Sequence, residues 1–178
     1  MLISTLFLVF LSFITGFQLK QRKSLKYVTD KFEKDSAMWI GTFDYNELIT
    51  AIRLTFRTED NPLLDMELYE AVTQCSTLRS ILQNENIVEI SRFVTSPDYR
   101  SNGIGGTMSL LVMFMFLAKY NYTAVFTSQL DFFGKYGIGI LVNRTFDYGD
   151  GVHTNAWYYN NEDIDTIIKM LKTKVTAS

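Results

Sequence analysis

The stretch SPDYRSNGIGGTMSLLVMFMFLAKY, residues 96–120, decides how the rest of the chain is read. It opens on a proline turn and an arginine, passes three glycines and then becomes almost wholly apolar. One reading is a glycine loop in front of a buried helix, from about Ile104 to Tyr120; the other is a membrane span. Glycine lets backbone approach a ligand closely. The unpaired N–H groups and dipole of a first helical turn favour an anion, and Arg100 adds a fixed positive charge. The same residues also suit a strand-to-helix turn with no ligand, because short glycine motifs recur by chance. No Lys-Ser/Thr follows the glycines, so this is not a Walker loop. Gly103, Gly105 and Gly106 do not form the dinucleotide pattern G-x-G-x-x-G. Glycines at the start of the run and strand signals on both sides of it speak against a span.

Those flanking signals are consistent with one another. IVEISRFVT, residues 87–95, is rich in β-branched residues and reads as a strand, and TAVFTSQ (123–129) reads as another. Upstream, AMWIGTF and LITAIRLTF are separated by Asp-Tyr-Asn-Glu turn chemistry and read as a hairpin. Leu68, Ala71, Val72, Cys75, Leu78 and Leu82 recur at helical spacing, which predicts one amphipathic helix over 66–82. Downstream, LDFFGKYG (130–137) reads as a short helix closed by Gly137. Two strands around a Gly-Asp-Gly turn follow. A last helix starts near residue 161, capped by Asn160 or Asn161, with lysines towards its C-terminal end. The order predicts a mixed α/β domain with helices packed on a central sheet.

Bulk properties narrow the function classes. The chain has 178 residues, 47% of them apolar and 20% charged, which suits one ordinary domain with a real core. The net charge of −2 argues against general nucleic-acid binding. Cys75 and His153 are the only cysteine and histidine. An intrachain disulfide and a multi-cysteine metal site are excluded, and no metal is expected. The first 19 residues carry no charge and precede the basic KQRKSLK. This length fits either a membrane anchor or a buried first helix. A basic flank on the inner side would leave the domain in the cytosol. The division expected is an apolar segment with its basic flank over 1–24, then a single domain over 25–178. The sequons at Asn121 and Asn143 fall at or inside strands, and no glycosylation is expected there.

At this point the chain resembles the N-acetyltransferase (GNAT) superfamily. That family carries R/Q-x-x-G-x-G/A between a strand and a helix, and VTSPDYRSNGIGG resembles the element. LDFFGKYGI resembles the family's later short helix, often F-Y-E-K-L-G-F. Together the matches cover about residues 37–160. The resemblance implies a GNAT-like acyl-CoA N-acyltransferase fold with a central, mostly antiparallel sheet flanked by helices. It implies that Arg100, Ser101, Asn102, Gly103, Ile104 and Gly105 hold the diphosphate of coenzyme A, and that the backbone of Phe93, Val94 and Thr95 pairs with the pantetheine arm. The chain departs from the pattern at Phe133, where a tyrosine often protonates the leaving thiolate; phenylalanine has no proton to give.

Two features narrow the resemblance. VEISRF resembles the E-x-S-R-F strand of acyl-homoserine-lactone synthases and related N-acyl amino acid synthases, and the helical segment before that strand is a further likeness. AIRL resembles a strand with a functional arginine there. This implies catalytic roles for Glu89, Arg92 and Arg53, and an acidic pair at Asp30 and Glu33. The donor would be acyl-coenzyme A or the phosphopantetheine of an acyl carrier protein, and the acceptor a small-molecule amine. The group's arginine-bearing N-terminal helical region is replaced here by the uncharged residues 1–19. An ordinary acetyl-coenzyme A-dependent acetyltransferase and a non-catalytic coenzyme A-binding domain stay open beside this reading. Burial in an apolar strand is expected to raise the Glu89 pKa. On a regular strand Glu89 and Arg92 point to opposite faces, and they act together only if a bulge intervenes.

Overall fold

A computed structural model describes residues 9–13, 36–69, 72, 74–99, 103–128, 132–147 and 153–177; at 9–13, 104, 143–147 and 153 it describes backbone only. Among the described residues seven strands form one sheet in the order β1-β2-β3-β4-β5-β7-β6. They are β1 (Val9–Phe13), β2 (Ala37–Asp44), β3 (Glu47–Thr55), β4 (Ile87–Thr95), β5 (Thr123–Ser128), β6 (Ile140–Asp147) and β7 (His153–Tyr159). Only β4 and β5 run parallel; every other neighbouring pair is antiparallel. The helices are α1 (Ser76–Leu82), α2 (Ile104–Lys119) and α3 (Asn161–Thr176).

The sheet has two covered faces. Met38, Ile40, Ile52, Leu54, Val88 and Ile90 point to the face on which α2 and α3 lie. Alternate residues of the same strands, Ile87 among them, face the segment that crosses from β3 to β4, where Leu64, Met66, Val72, Leu78 and Leu82 are buried. The apolar run of α2 belongs to the first layer. It packs on β2 and β3 with one side and on α3 with another, so apolar residues line most of its circumference. Phe114 at its centre meets Phe133 edge-on at 5.5 Å and Tyr159 at 6.0 Å. The cap of α3 is Asn160, whose Oδ1 accepts from the Asp163 N–H while the Asp163 carboxylate accepts from the Asn160 N–H.

Three expectations are corrected. Residues 1–19 are not one helix or span, because Val9–Phe13 pairs as β1 with the edge of β2. A β-prone VFLSF segment satisfies its backbone on an exposed sheet edge, and the edge gains a partner. Among the described residues no helix is long and apolar enough to cross a membrane. The helix expected over 66–82 is broken: a 3₁₀ turn spans Asp65–Leu68, Cys75 is extended, and α1 begins at Ser76. The cause is tertiary. Leu64 and Met66, two residues apart, are both buried. Glu67 is held by Arg57 at 2.8 Å and accepts from the Leu64 N–H, also at 2.8 Å. The third correction is at 130–137, where a 3₁₀ turn over Gly134–Tyr136 replaces the short helix. It does end at Gly137 in the left-handed conformation. The Gly-Asp-Gly turn, Asp30 and Glu33 lie outside the described residues.

Phe114→Ala is expected to lower the unfolding free energy by about 3–5 kcal/mol, since it opens a cavity where α2, the 133 turn and β7 meet. Urea unfolding followed by circular dichroism measures it; a loss below about 1 kcal/mol would contradict this account of the core.

Candidate functional site

The site begins with an irregularity in β4. Arg53 pairs with Ser91 and Ala51 with Val94, so between these pairs β4 has two residues, Arg92 and Phe93, where β3 has one, Ile52. The extra residue is Arg92, whose φ is +54°. A bulge of this kind reverses the alternation beyond it. Val88 and Ile90 face the helices before the bulge; after it Phe93 and Thr95 do. Arg92 itself is exposed. The bulge therefore does not turn Arg92 in beside Glu89; the positive charge that acts on Glu89 is Arg53.

A second irregularity lies on the other edge of β4. Its ladder with β5 runs from Ile87↔Thr123 to Ile90↔Phe126 and stops. Thr127 and Ser128 go on pairing with β7. Beyond Ile90 the two parallel strands part, and the backbone of 91–95 borders the opening. On the helix side a cleft of about 460 Å³ meets it. Its walls are Phe93 and Thr95 of β4, the start of α2, the 132–136 turn and the C-terminal end of α3.

The glycines at the start of α2 have separate duties. Gly103 is the N-cap, in the left-handed conformation at φ +63°, and no side chain caps the helix there. The first turn thus presents backbone N–H groups that have no partner within the helix. Gly105 faces the sheet instead: a Cβ there would lie 2.7 Å from Ile49 Cδ1. Its carbonyl accepts from the Thr42 and Thr50 hydroxyls, each at 3.2 Å, and both hydroxyls also bond Ser109. Gly106, Thr107 and Leu110 line the cleft with Gly103. Sequence reasoning named Gly103, Ile104 and Gly105 and missed Gly106 and Thr107. Helical spacing from Gly103 carries the signal, since positions three and four apart share a face. Arg100, Ser101 and Asn102 lie outside the described residues, as does the side chain of Ile104. Lys135, Tyr136 and Lys174, also missed, line the cleft; no local pattern marks Lys174.

Glu89 and Arg53 occupy the opposite face, beneath the Asp65–Leu68 turn. Both are fully buried. Arg53 Nε donates to Ser91 Oγ at 3.0 Å, and its Nη2 donates to Asp65 Oδ2 at 3.0 Å. Glu89 Oε2 accepts from the Met66 N–H at 3.0 Å. Glu89 Oε1 and Thr55 Oγ1, on residues that face each other across the β3–β4 ladder, have no hydrogen-bond partner among the described residues. Burial pushes the Glu89 carboxyl up from 4.5 to about 8; the Met66 N–H opposes the rise, Asp65 adds to it and Arg53 counters it. At neutral pH this group is a carboxylic acid. Phe133, the position without a proton donor, is 3% exposed in an aromatic cluster with Phe114, Phe132 and Tyr159. Among the described residues no group of three or more His, Cys, Asp or Glu side chains is placed to hold a metal ion.

No family model matches the chain, and no curated protein matches it by sequence. Solved structures do match. FeeM, an N-acyl amino acid synthase from uncultured soil microbes, superposes with a TM-score of 0.60 at 12% identity, over 80% of this chain and 77% of that one. BjaI, a coenzyme A-dependent acyl-homoserine lactone synthase solved with SAM and isopentyl-CoA, gives 0.55 at 13% identity, over 81% and 68%. A third, the coenzyme A-dependent acyl-homoserine lactone synthase MesI, gives 0.53 at 14% identity, over 89% and 80%. The chain shares the fold of these three structures.

The raised Glu89 pKa has a consequence for stability. Between about pH 4.5 and 8 the native protein holds a proton that the unfolded chain has released, so this contribution is full below 4.5 and is lost as pH rises to about 8. Glu89→Gln, which keeps the shape and cannot ionise, is expected to flatten that decline by a few kcal/mol. Urea unfolding of both proteins at pH 5, 6.5 and 8 reads it; parallel profiles would show that Glu89 is not held neutral by the fold.

Proposed function

We propose that the protein is an N-acyltransferase that moves an acyl group from a thioester to the amine of a small molecule. The donor is acyl-coenzyme A or the acylated phosphopantetheine of a carrier protein. One observation carries the reading. Beyond Ile90 the sheet is open between β4 and β5, with an aromatic-lined cleft on one face and the Glu89–Arg53 cluster on the other. A pantetheine arm laid along 91–95, beyond the end of the β4–β5 ladder, would bring its thioester to that opening. Uncapped N–H groups at the start of α2 would take the diphosphate. The acceptor then approaches from the Glu89 side, with exposed Arg92 and Val94 at the rim. The fold shared with FeeM, BjaI and MesI supports this arrangement.

In the reaction the neutral amine attacks the thioester carbonyl. Backbone N–H groups near Val94 stabilise the oxyanion, the C–S bond breaks and the thiolate leaves. The amine's extra proton passes to Glu89 once that carboxyl has ionised. The role assigned to Arg53 is to hold Ser91 and Asp65 around it. Phe133 supports a second reading, a domain that binds the donor without turning it over, because no proton donor stands at that place.

Incubating the full chain with acetyl and long-chain coenzyme A and carrier-protein thioesters, and searching for acylated amines by mass spectrometry, tests the activity. Thioester binding without thiol release would select the second reading. On the acyltransferase reading kcat/KM is expected to rise with pH and level off above about 8, where Glu89 ionises. Glu89→Gln should remove that limb and lower the rate about 100-fold or more. A variant as active as the wild type, with the limb intact, sinks the base assignment.

A further inference from the structure

The donor cleft changes character along its length. Phe133 at one end is buried and Phe93 and Phe132 are half-buried, whereas Lys135, Tyr136 and Lys174 at the other end are exposed. The exposed end is organised around one ring. Lys135 Nζ lies 5.1 Å from the centroid of Tyr136 and Lys174 Nζ lies 5.4 Å from it. The two lysines come from elements far apart in sequence, the 134–136 turn and the last turns of α3. Each ammonium is drawn to the electron-rich face of the shared aromatic ring. Two cations from separate elements thus flank one flat ring on the exposed part of a cleft whose buried lining is aromatic.

Resting on the donor reading above, we propose that Lys135, Tyr136 and Lys174 form a second anion seat that takes the ribose 3′-phosphate of coenzyme A. The donor is then the nucleotide-bearing thioester. Phosphopantetheine alone, or on a carrier protein, has a single phosphorus group, which the start of α2 would occupy. Coenzyme A carries a further phosphate on its ribose, beyond the diphosphate, together with an adenine ring. A phosphomonoester with two negative charges matches two lysines, and Tyr136 supplies the rigid surface that keeps them together.

Calorimetric titration of the full chain with coenzyme A, 3′-dephospho-coenzyme A and a phosphopantetheinylated carrier protein tests the seat. The seat predicts that the wild type binds coenzyme A about 10-fold or more tightly than the dephospho form, as expected for charge-assisted contacts. The double variant Lys135→Gln, Lys174→Gln should erase that difference and leave dephospho-coenzyme A binding within about twofold, since only the 3′-phosphate contact is removed. Lys135→Arg with Lys174→Arg should keep the preference, and Tyr136→Phe should keep it where Tyr136→Leu loses most of it. Equal affinity of the wild type for the two nucleotides, with both bound, overturns the seat and leaves the donor reading standing. Carrier protein bound more tightly than coenzyme A, through the same lysines, overturns it in favour of the other donor. If none of the three ligands binds, the seat and the donor reading fall together.

Discussion

A single extra residue in β4 organises everything near the cleft. With Arg92 inserted at positive φ, residues 87, 89 and 91 face the crossover layer, while 93 and 95 join 88 and 90 on the helix side. Without the bulge Phe93 would point away from Gly106, and the cleft would lose its wall. The helix start is set to match: a Cβ on Gly106 would stand 3.3 Å from Phe93 Cζ. The strained conformation at Arg92 costs something, since a non-glycine residue at positive φ is uncommon. The flanking β3 pairings at Ser91 and Val94 hold it in place.

The same strand also joins two environments that demand opposite chemistry. On the helix side the residues beside the opening are aromatic and apolar. On the crossover side a carboxyl, a guanidinium and a second carboxylate are buried together. Burying Arg53 is tolerable because it is paired, with Asp65 and Ser91 among its partners. Glu89 has backbone donors at Met66 and Asp65 but no full counter-charge of its own, and burial favours its protonated form. The 3₁₀ turn at Asp65–Leu68 is docked on this cluster, with the Met66 N–H donated to Glu89 and the Asp65 carboxylate paired with Arg53.

Much of this was legible in the sequence because it is local. Strand bounds at 87–95, the helix from 104 and an asparagine cap at 160 or 161 each follow from side-chain chemistry within a few residues. The contrast between GIGG and the apolar run after it identified a strand–loop–helix unit. What the sequence did not show depends on contacts at long range. The docking of the 65–68 turn depends on Met66 meeting Glu89, 23 residues away. β1 comes from an edge that β2 leaves open, and its VFLSF carries no period that separates a strand from a buried helix. Lys174 reaches the cleft because α3 packs along α2. The bulge was foreseen only as a condition for Arg92 to meet Glu89; in the structure it sends Arg92 outward and leaves Arg53 in that role.

Phe133 bears on where the chemical demand falls. An aromatic ring locked between Phe114 and Tyr159 cannot be exchanged for a proton donor by any small motion. On the acyl-transfer reading the thiolate then leaves without a nearby acid. That is tolerable: a thiol with a pKa of about 8.5 is a good leaving group near neutral pH even as the anion. An alkylammonium acceptor has a pKa of about 10 and is unreactive until it loses a proton, so the step that needs a tuned group is on the amine side. The fold puts its one strongly perturbed buried carboxyl, among the described residues, on the face away from the donor cleft and one turn of strand from the opening. On that reading, a chain that keeps Glu89 at about 8 while filling position 133 with a hydrocarbon would do its proton chemistry where the acceptor enters rather than where the thiol leaves.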